Sequence, residues 1–239
     1  MSRSVYRSSR AFQLSNRDIS DGNLKHSNQR MPDNITEDYG WSTTQEPQSC
    51  GYVGPYILQA LQGLGVHRVL DVGSGNGALC ARLAAAGYEV VGVEYDKKGA
   101  ELARQMCPSI RFYNYGVQDD PAELLAQENG FDAVVSTEVV EHLYSPHLLP
   151  CYARSVLRPG GYLLVTTPYH GYLKNLALSI FGAWDKHHTA LWHGGHIKFW
   201  SRETLTQLLA ANGFRVVGFR GVGRLAYLWK SMVLVARKS

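Results

Sequence analysis

The stretch that most constrains this chain runs from Val69 to Gly77, V-L-D-V-G-S-G-N-G, where an apolar run carries one carboxylate and then meets three glycines at alternate positions. Val69, Leu70 and Val72 suit a buried parallel strand, and Ala78 to Ala86 contains no helix breaker before Gly87. The stretch therefore predicts a strand, a glycine turn and a helix. Gly73, Gly75 and Gly77 lack a Cβ, so the backbone there can bend tightly and admit a ligand to the first helical N–H groups. A nucleotide-like cofactor is the occupant such a turn calls for.

Gly73, Gly75 and Ala78 also satisfy the G-x-G-x-x-A spacing of dinucleotide-binding folds, a reading that would make the chain an NAD-dependent dehydrogenase. Asp71 argues for a different cofactor. A carboxylate at the turn repels a pyrophosphate and attracts a ligand bearing an ammonium and a sulfonium, such as S-adenosylmethionine. A second strand, Val90 to Glu94, puts Glu94 at its carboxyl end, where it can take both ribose hydroxyls.

An acid followed by G-x-G-x-G, with a second acid ending the next strand, resembles the class I S-adenosylmethionine-dependent methyltransferases. The resemblance runs from about Cys50 to the C-terminus and includes the fragment Leu157-Arg-Pro-Gly-Gly161, which in that family ends a helix before the fifth strand. It implies an α/β fold, a doubly wound seven-stranded sheet with helices on both faces and the last strand antiparallel. It also implies an adenine contact in the loop 116–119, where Val117 and Gln118 stand in place of the usual acid and Asp119 comes one position late. With Asp71, Gly73, Gly75, Gly77 and Glu94, the expected cofactor set takes in Tyr95, Val117, Gln118 and Ser136.

A chain of 239 residues fits one domain, and a net charge of +4 with scattered lysines and arginines outlines no extended nucleic-acid face. Small substrates are favoured. Cys50, Cys80, Cys107 and Cys151 form no C-x-x-C pair and read as reduced thiols, which, with no long apolar run and no secretion signal, predicts a soluble cytoplasmic protein. Residues 1–38 are rich in Ser, Arg, Asn and Asp and read as a mobile tail, whose arginines are available to RNA or to peripheral contact with anionic lipid; residues 39–239 are the folded domain.

In chain order, the pattern predicts a lead-in from Trp41 to Tyr52, a helix from Pro55 to Leu64 and, after Glu94, a helix from Lys98 to Cys107. A third strand follows from Ile110 to Tyr115, a fourth from Phe131 to Val135, a helix containing Cys151 to Leu157, and a turn and fifth strand from Gly160 to Val165. Residues 168–199 then break the pattern with aromatics and histidines around a short apolar helix, Leu173 to Phe181, and read as a substrate cover. Tyr169, Tyr172, Phe181, Trp184 and Trp192 are its candidate apolar lining. Ser201, with Thr204, caps a helix buried along Leu205, Leu208 and Leu209, and Phe214 to Phe219 and Met232 to Ala236 close the sheet.

The chemistry concentrates after the fourth strand, in Glu138-Val-Val-Glu-His142, and seven of the nine histidines fall between His142 and His196. Two carboxylates with imidazoles form a ligand set for a divalent ion. The pattern E-x-x-E-H followed by a later histidine resembles the O-methyltransferases of ubiquinone biosynthesis and the small-RNA 2′-O-methyltransferases. That resemblance implies Glu138, Glu141, His142 and His196 as ligands of magnesium, or of zinc, manganese or iron, with His187, His188 and His193 competing for the last place. Three readings stand side by side: a metal site, a metal-free site with His142 as general base and Glu138 beside it, and a helix start that merely contains Glu141 and His142. The expected function is O-methylation of a small hydroxylated, aromatic or quinone-type acceptor. The alternatives are an RNA 2′-O-methyltransferase and a non-catalytic cofactor-binding partner subunit.

Overall fold

The structure, a computed structural model, describes residues 39–188, 191, 192 and 194–239; the expected tail of residues 1–38 and His193 lie outside them. In chain order the elements are α1 (Gln48–Gln62), β1 (Arg68–Val72), α2 (Ala78–Ala85), β2 (Glu89–Val93), α3 (Lys97–Met106), β3 (Arg111–Tyr113), α4 (Pro121–Leu125) and β4 (Phe131–Thr137). There follow α5 (Leu148–Val156), β5 (Leu157–Pro168), α6 (Tyr172–Ile180), α7 (Trp184–His188), α8 (Arg202–Ala211), β6 (Phe214–Val222) and β7 (Ser231–Lys238).

The seven strands form one sheet in the order β3-β2-β1-β4-β5-β7-β6, parallel except for β7, which runs antiparallel to both its neighbours. This is the doubly wound α/β sheet that the motif order predicts. Strand alternation divides the core: Leu70, Val72, Val91 and Val93 pack under α4, α5 and α8, while Val69 and Val90 pack under α1, α2 and α3. The order reverses between β1 and β4, so a crevice opens at their carboxyl ends, where such folds bind ligands.

Three elements differ from their sequence expectations. The first helix begins at Gln48 rather than Pro55 and carries the proline inside it. Val53, Ile57 and Leu61, one helical stripe, are at most 1% exposed, and their burial holds the helix across the proline, whose ring meets only Gly51 one turn earlier. The fifth strand begins at Leu157, paired with Phe131, and its register shifts before Tyr162 pairs with Ala133. The segment expected as a helix-ending turn is thus a bulge in β5. The third strand is only three residues long, and α4 and α7 are additional short helices.

Opposite the crevice, the amino ends of β1, β2 and β3 carry an ion network. Arg68, 5% exposed, pairs with Glu89 at 2.8 Å and with Glu128, which also takes Arg111 and the Tyr113 hydroxyl. Removing one partner leaves buried charge uncompensated. Glu128→Ala is expected to lower unfolding free energy by about 3 kcal/mol, the low end for a broken buried pair because Arg68 keeps Glu89. Urea denaturation measures this, and cofactor affinity should not change.

Candidate functional site

The glycine turn is tied to the end of β2, because the Gly73 and Ser74 N–H groups both donate to the Val93 carbonyl at 2.9 and 3.0 Å. Gly73 and Gly75 have φ of +77° and +54°, in the left-handed region that favours glycine. A Cβ at Gly73 would stand 2.4 Å from Val139 Cγ2, and one at Gly75 would stand 2.3 Å from Trp41 Cζ2. Gly77, expected to contact cofactor, instead caps α2 and lies against Phe112 and Ala103, so its bare Cα serves helix packing.

Asp71 lies within β1 and is 1% exposed; Oδ2 accepts from the Cys80 thiol at 3.2 Å and Oδ1 has no partner. Burial pushes its pKa up to about 7, the Cys80 bond opposing and the nearby Glu94 adding to the rise. Glu94 is 5% exposed and also pushed by burial to about 7. Its Oε2 accepts the Gly75 N–H at 2.6 Å and its Oε1 the Asp96 N–H at 2.8 Å, and the Tyr95 N–H also bonds the carboxylate, so a lone pair remains for a ribose hydroxyl. A buried acid with an unpaired oxygen beside a bare glycine backbone fits the ammonium end of S-adenosylmethionine, and Glu94 fits its ribose.

A strap ahead of α1 crosses this cleft. The Tyr39 N–H donates to Asp96 Oδ2 at 2.8 Å, Asn76 Nδ2 donates to the Thr43 and Gln45 carbonyls, and Arg82 pairs with Glu46 at 2.6 Å. Trp41 lies against the bare backbones of Gly75 and Gly99, a contact that no periodicity in the sequence signals. The remaining expected cofactor residues are otherwise engaged. Ser136 donates its hydroxyl to the Val72 carbonyl at 2.9 Å, Val117 is buried in the core, Gln118 is exposed and folds over Gly116, and the Tyr95 carbonyl accepts from Asn114.

The second cluster lies after β4. Glu138 sits at φ +54°, a strained value for a residue with a side chain, and its carboxylate accepts from Thr166 Oγ1 at 2.8 Å and Ser231 Oγ at 3.1 Å. Burial pushes its pKa up to about 7. Residues 139–142 form a turn rather than a helix start, and the Glu141 carbonyl accepts the Ile197 and Lys198 N–H groups, each at 3.0 Å. Those two bonds bring His196 to Glu141 and His142.

One ligand atom from each of Glu141, His142 and His196 lies within 4.8 Å of the others. Glu141 is 1% exposed, both its carboxylate oxygens lack a hydrogen-bond partner among the described residues, and burial and the Glu138 charge, against a weaker effect of Thr167, hold it well above the usual carboxylate range. Burial lowers His142 and brings His196 to about 4, so both imidazoles are neutral near pH 7 and offer lone pairs. Nδ1 of His142 lies 3.3 Å from the Gly195 carbonyl; donation there leaves Nε2 facing Glu141. Glu138, expected as a fourth member, is outside this group because two hydroxyls hold its carboxylate. His187 and His188 gather around His170 instead.

The five-aromatic lining is not formed. Tyr172 and Phe181 are 79% and 80% exposed, Tyr169 is buried on Trp229, Trp184 donates to Ser179, and only Trp192 joins the site, its ring 5.5 Å from that of His142. Helix α6 turns its apolar residues outward because the side chain it buries is Lys174.

Asp71 and Glu94 have folded pKa values above their ordinary 3.8 and 4.5, so the folded state holds more protons between those values and about 7. Their contribution to stability is full below the ordinary values and is lost as pH rises through about 7. Asp71→Asn should therefore gain on wild type with rising pH. The difference in urea midpoints should widen from about pH 5 to about pH 8, with the variant the more stable at the upper end.

A family profile for the methyltransferase domain matches residues 24–218. A ubiquinone biosynthesis O-methyltransferase of Sinorhizobium medicae is 36% identical over 134 residues, covering 54% of this chain and 50% of that protein, so the chain spans about half the length of that relative. One from Rhizobium etli is 33% identical over 187 residues, covering 74% of this chain and 71% of that protein. Magnesium protoporphyrin IX methyltransferase from Synechocystis PCC 6803, solved with bound SAH, shares the fold at TM-score 0.58 and 20% identity, over 78% of this chain and 82% of that one. Matched along most of its length and built on the same doubly wound sheet, the chain belongs to the class I S-adenosylmethionine-dependent methyltransferases.

Proposed function

We propose that the protein moves the methyl group of S-adenosylmethionine to a hydroxyl oxygen of a small aromatic or quinone-type molecule, with Glu141, His142 and His196 holding a divalent cation beside that oxygen. The observation that carries this reading is Glu141, buried with both oxygens unpaired and facing two neutral imidazoles. A carboxylate dehydrated without a partner costs several kcal/mol, and a cation between it and the imidazoles removes that cost. One carboxylate and two imidazoles suit manganese, iron or zinc better than magnesium, which prefers an all-oxygen shell. Similarity to proteins named as ubiquinone biosynthesis O-methyltransferases supports oxygen as the acceptor atom and a quinone-type ring as its carrier.

The residues divide the work. Asp71 Oδ1 receives the cofactor ammonium, Glu94 receives the ribose hydroxyls beside Gly75, and Trp41 yields the space over Gly75 as the adenosyl group enters. The acceptor hydroxyl would lie at the end of β4, where Glu141, His142 and His196 would hold the cation, whose chemistry would be to lower that hydroxyl's pKa. Glu138, pushed up to about 7 and anchored by Thr166 and Ser231, takes the hydroxyl proton as the oxygen attacks and the sulfonium leaves as a thioether. Trp192, whose ring lies 5.5 Å from that of His142, gives the region an aromatic wall, which favours a ring with an apolar body over a polyanionic RNA.

Turnover with catechol should fall in chelator and return on addition of manganese or zinc. His142→Ala and Glu141→Ala should lose that metal-dependent turnover while keeping affinity for S-adenosylhomocysteine within a few-fold. Full activity in chelator, from protein that contains no metal, would sink the cation. Cofactor binding carries its own signature: a cation beside Asp71 lowers the carboxyl from about 7, so binding near neutral pH should release protons. Calorimetry in buffers of different ionisation enthalpy detects the release, and Asp71→Asn should abolish most of it.

A further inference from the structure

Helix α6 is inverted. Tyr172 and Ile180 are 79% and 69% exposed, whereas Lys174 is 6% exposed. Burying an ammonium costs several kcal/mol unless its donors are used. Among the described residues Lys174 makes no ion pair; Nζ donates to the Lys230 carbonyl at 3.2 Å, which occupies one of three N–H groups. Glu138 influences it only at longer range and has its own oxygens on Thr166 and Ser231.

The ammonium's charge acts on two imidazoles, His170 and His187. His170 is 8% exposed, its ring lies 5.1 Å from that of His187 and 6.5 Å from that of His188, and Phe199 closes the group at 5.0 Å from His170. Nε2 of His187 and Nε2 of His188 are both buried without a partner among the described residues. Phe199, on the segment that begins at His196, packs on the rings of both His170 and His188, so the histidine group adjoins the Glu141–His142–His196 cluster. It holds a cation, unused N–H donors and no acid of its own.

We infer that Lys174, His170, His187 and His188 form a subsite for a carboxylate carried by the acceptor, so that the protein selects hydroxylated aromatic acids over neutral phenols. This rests on reading the adjoining cluster as the acceptor's hydroxyl site. A carboxylate has four lone-pair positions, enough for the free Lys174 donors and for one N–H from each of two imidazoles in their Nε2–H tautomers. Phe199 provides an apolar edge for the ring that carries it. Lys174 is depressed only to about 8 and so remains a cation near neutral pH, while burial brings His170 and His187 to about 4 and leaves them as neutral donors.

The test compares protocatechuate with catechol, which differ by one carboxylate, first as ligands of the protein saturated with S-adenosylhomocysteine. Wild type should bind protocatechuate at least tenfold more tightly. Lys174→Met, which keeps the length and removes the charge, should erase that preference and leave catechol and S-adenosylhomocysteine affinities unchanged; Lys174→Arg should retain part of it. Equal affinities in wild type, or a preference that survives Lys174→Met, would overturn the subsite, as would an equal loss of both ligands, which marks Lys174 as only a counter-charge for Glu138. Should Lys174→Met fail to fold, His187→Leu carries the same comparison. Turnover of both compounds is measured alongside: selective binding through Lys174 without methyl transfer would remove the proposed reaction and leave the carboxylate subsite standing.

Discussion

Carboxyl groups stripped of water at the carboxyl edge of the sheet are the constraint on which the rest of the structure depends. Asp71, Glu94, Glu138 and Glu141 come from β1 and from the segments just beyond β2 and β4, and burial raises all four above the usual carboxylate range. They differ in how each is relieved. Glu94 is held by backbone N–H groups and Glu138 by two hydroxyls, whereas Asp71 keeps one oxygen unpaired and Glu141 keeps two. Those oxygens are the points in the site where a positively charged ligand group would offset the most burial cost.

The opposite edge uses the same residue types for a different end. Hydrogen bonds from arginines lower Glu89, and those from Arg111, Tyr113 and Arg68 lower Glu128 against the effect of its burial. Acids there are paired, and they stabilise the sheet where the first three strands begin. Separating the paired from the unpaired edge lets the protein keep dehydrated acids at its site without losing the fold, because stability and ligand demand are set by different contacts.

Two segments outside the sheet meet over the crevice. The strap brings Tyr39, and the cover brings Trp192, to within 5.9 and 5.5 Å of the His142 ring. The strap also carries Trp41 onto Gly75, and the cover is pinned by the Glu141 carbonyl to the Ile197 and Lys198 N–H groups. One imidazole is therefore flanked by both segments.

The local sequence determined the strand–turn–helix at Val69 to Gly77, the acid just beyond β2 and the capping box at Ser201, since apolar runs, glycines and caps act over a few residues, whereas the seven-stranded sheet came from the family resemblance. It also singled out Glu141, His142 and His196, because a motif records which residues recur at a fixed spacing. Only the tertiary structure decided that Glu138 is anchored by Thr166 and Ser231, that Ser136 serves Val72, that Gly77 packs helices, and that the strap lays Trp41 across the glycine turn. Each of those depends on a partner at least 19 residues away, or on a segment that no local period describes. Helix α6 makes the point most sharply: its composition reads as an apolar cover turned inward, yet Lys174 is the side chain it buries. A helix's facing is fixed by what lies beneath it, and here Lys174 turns inward to the Lys230 carbonyl.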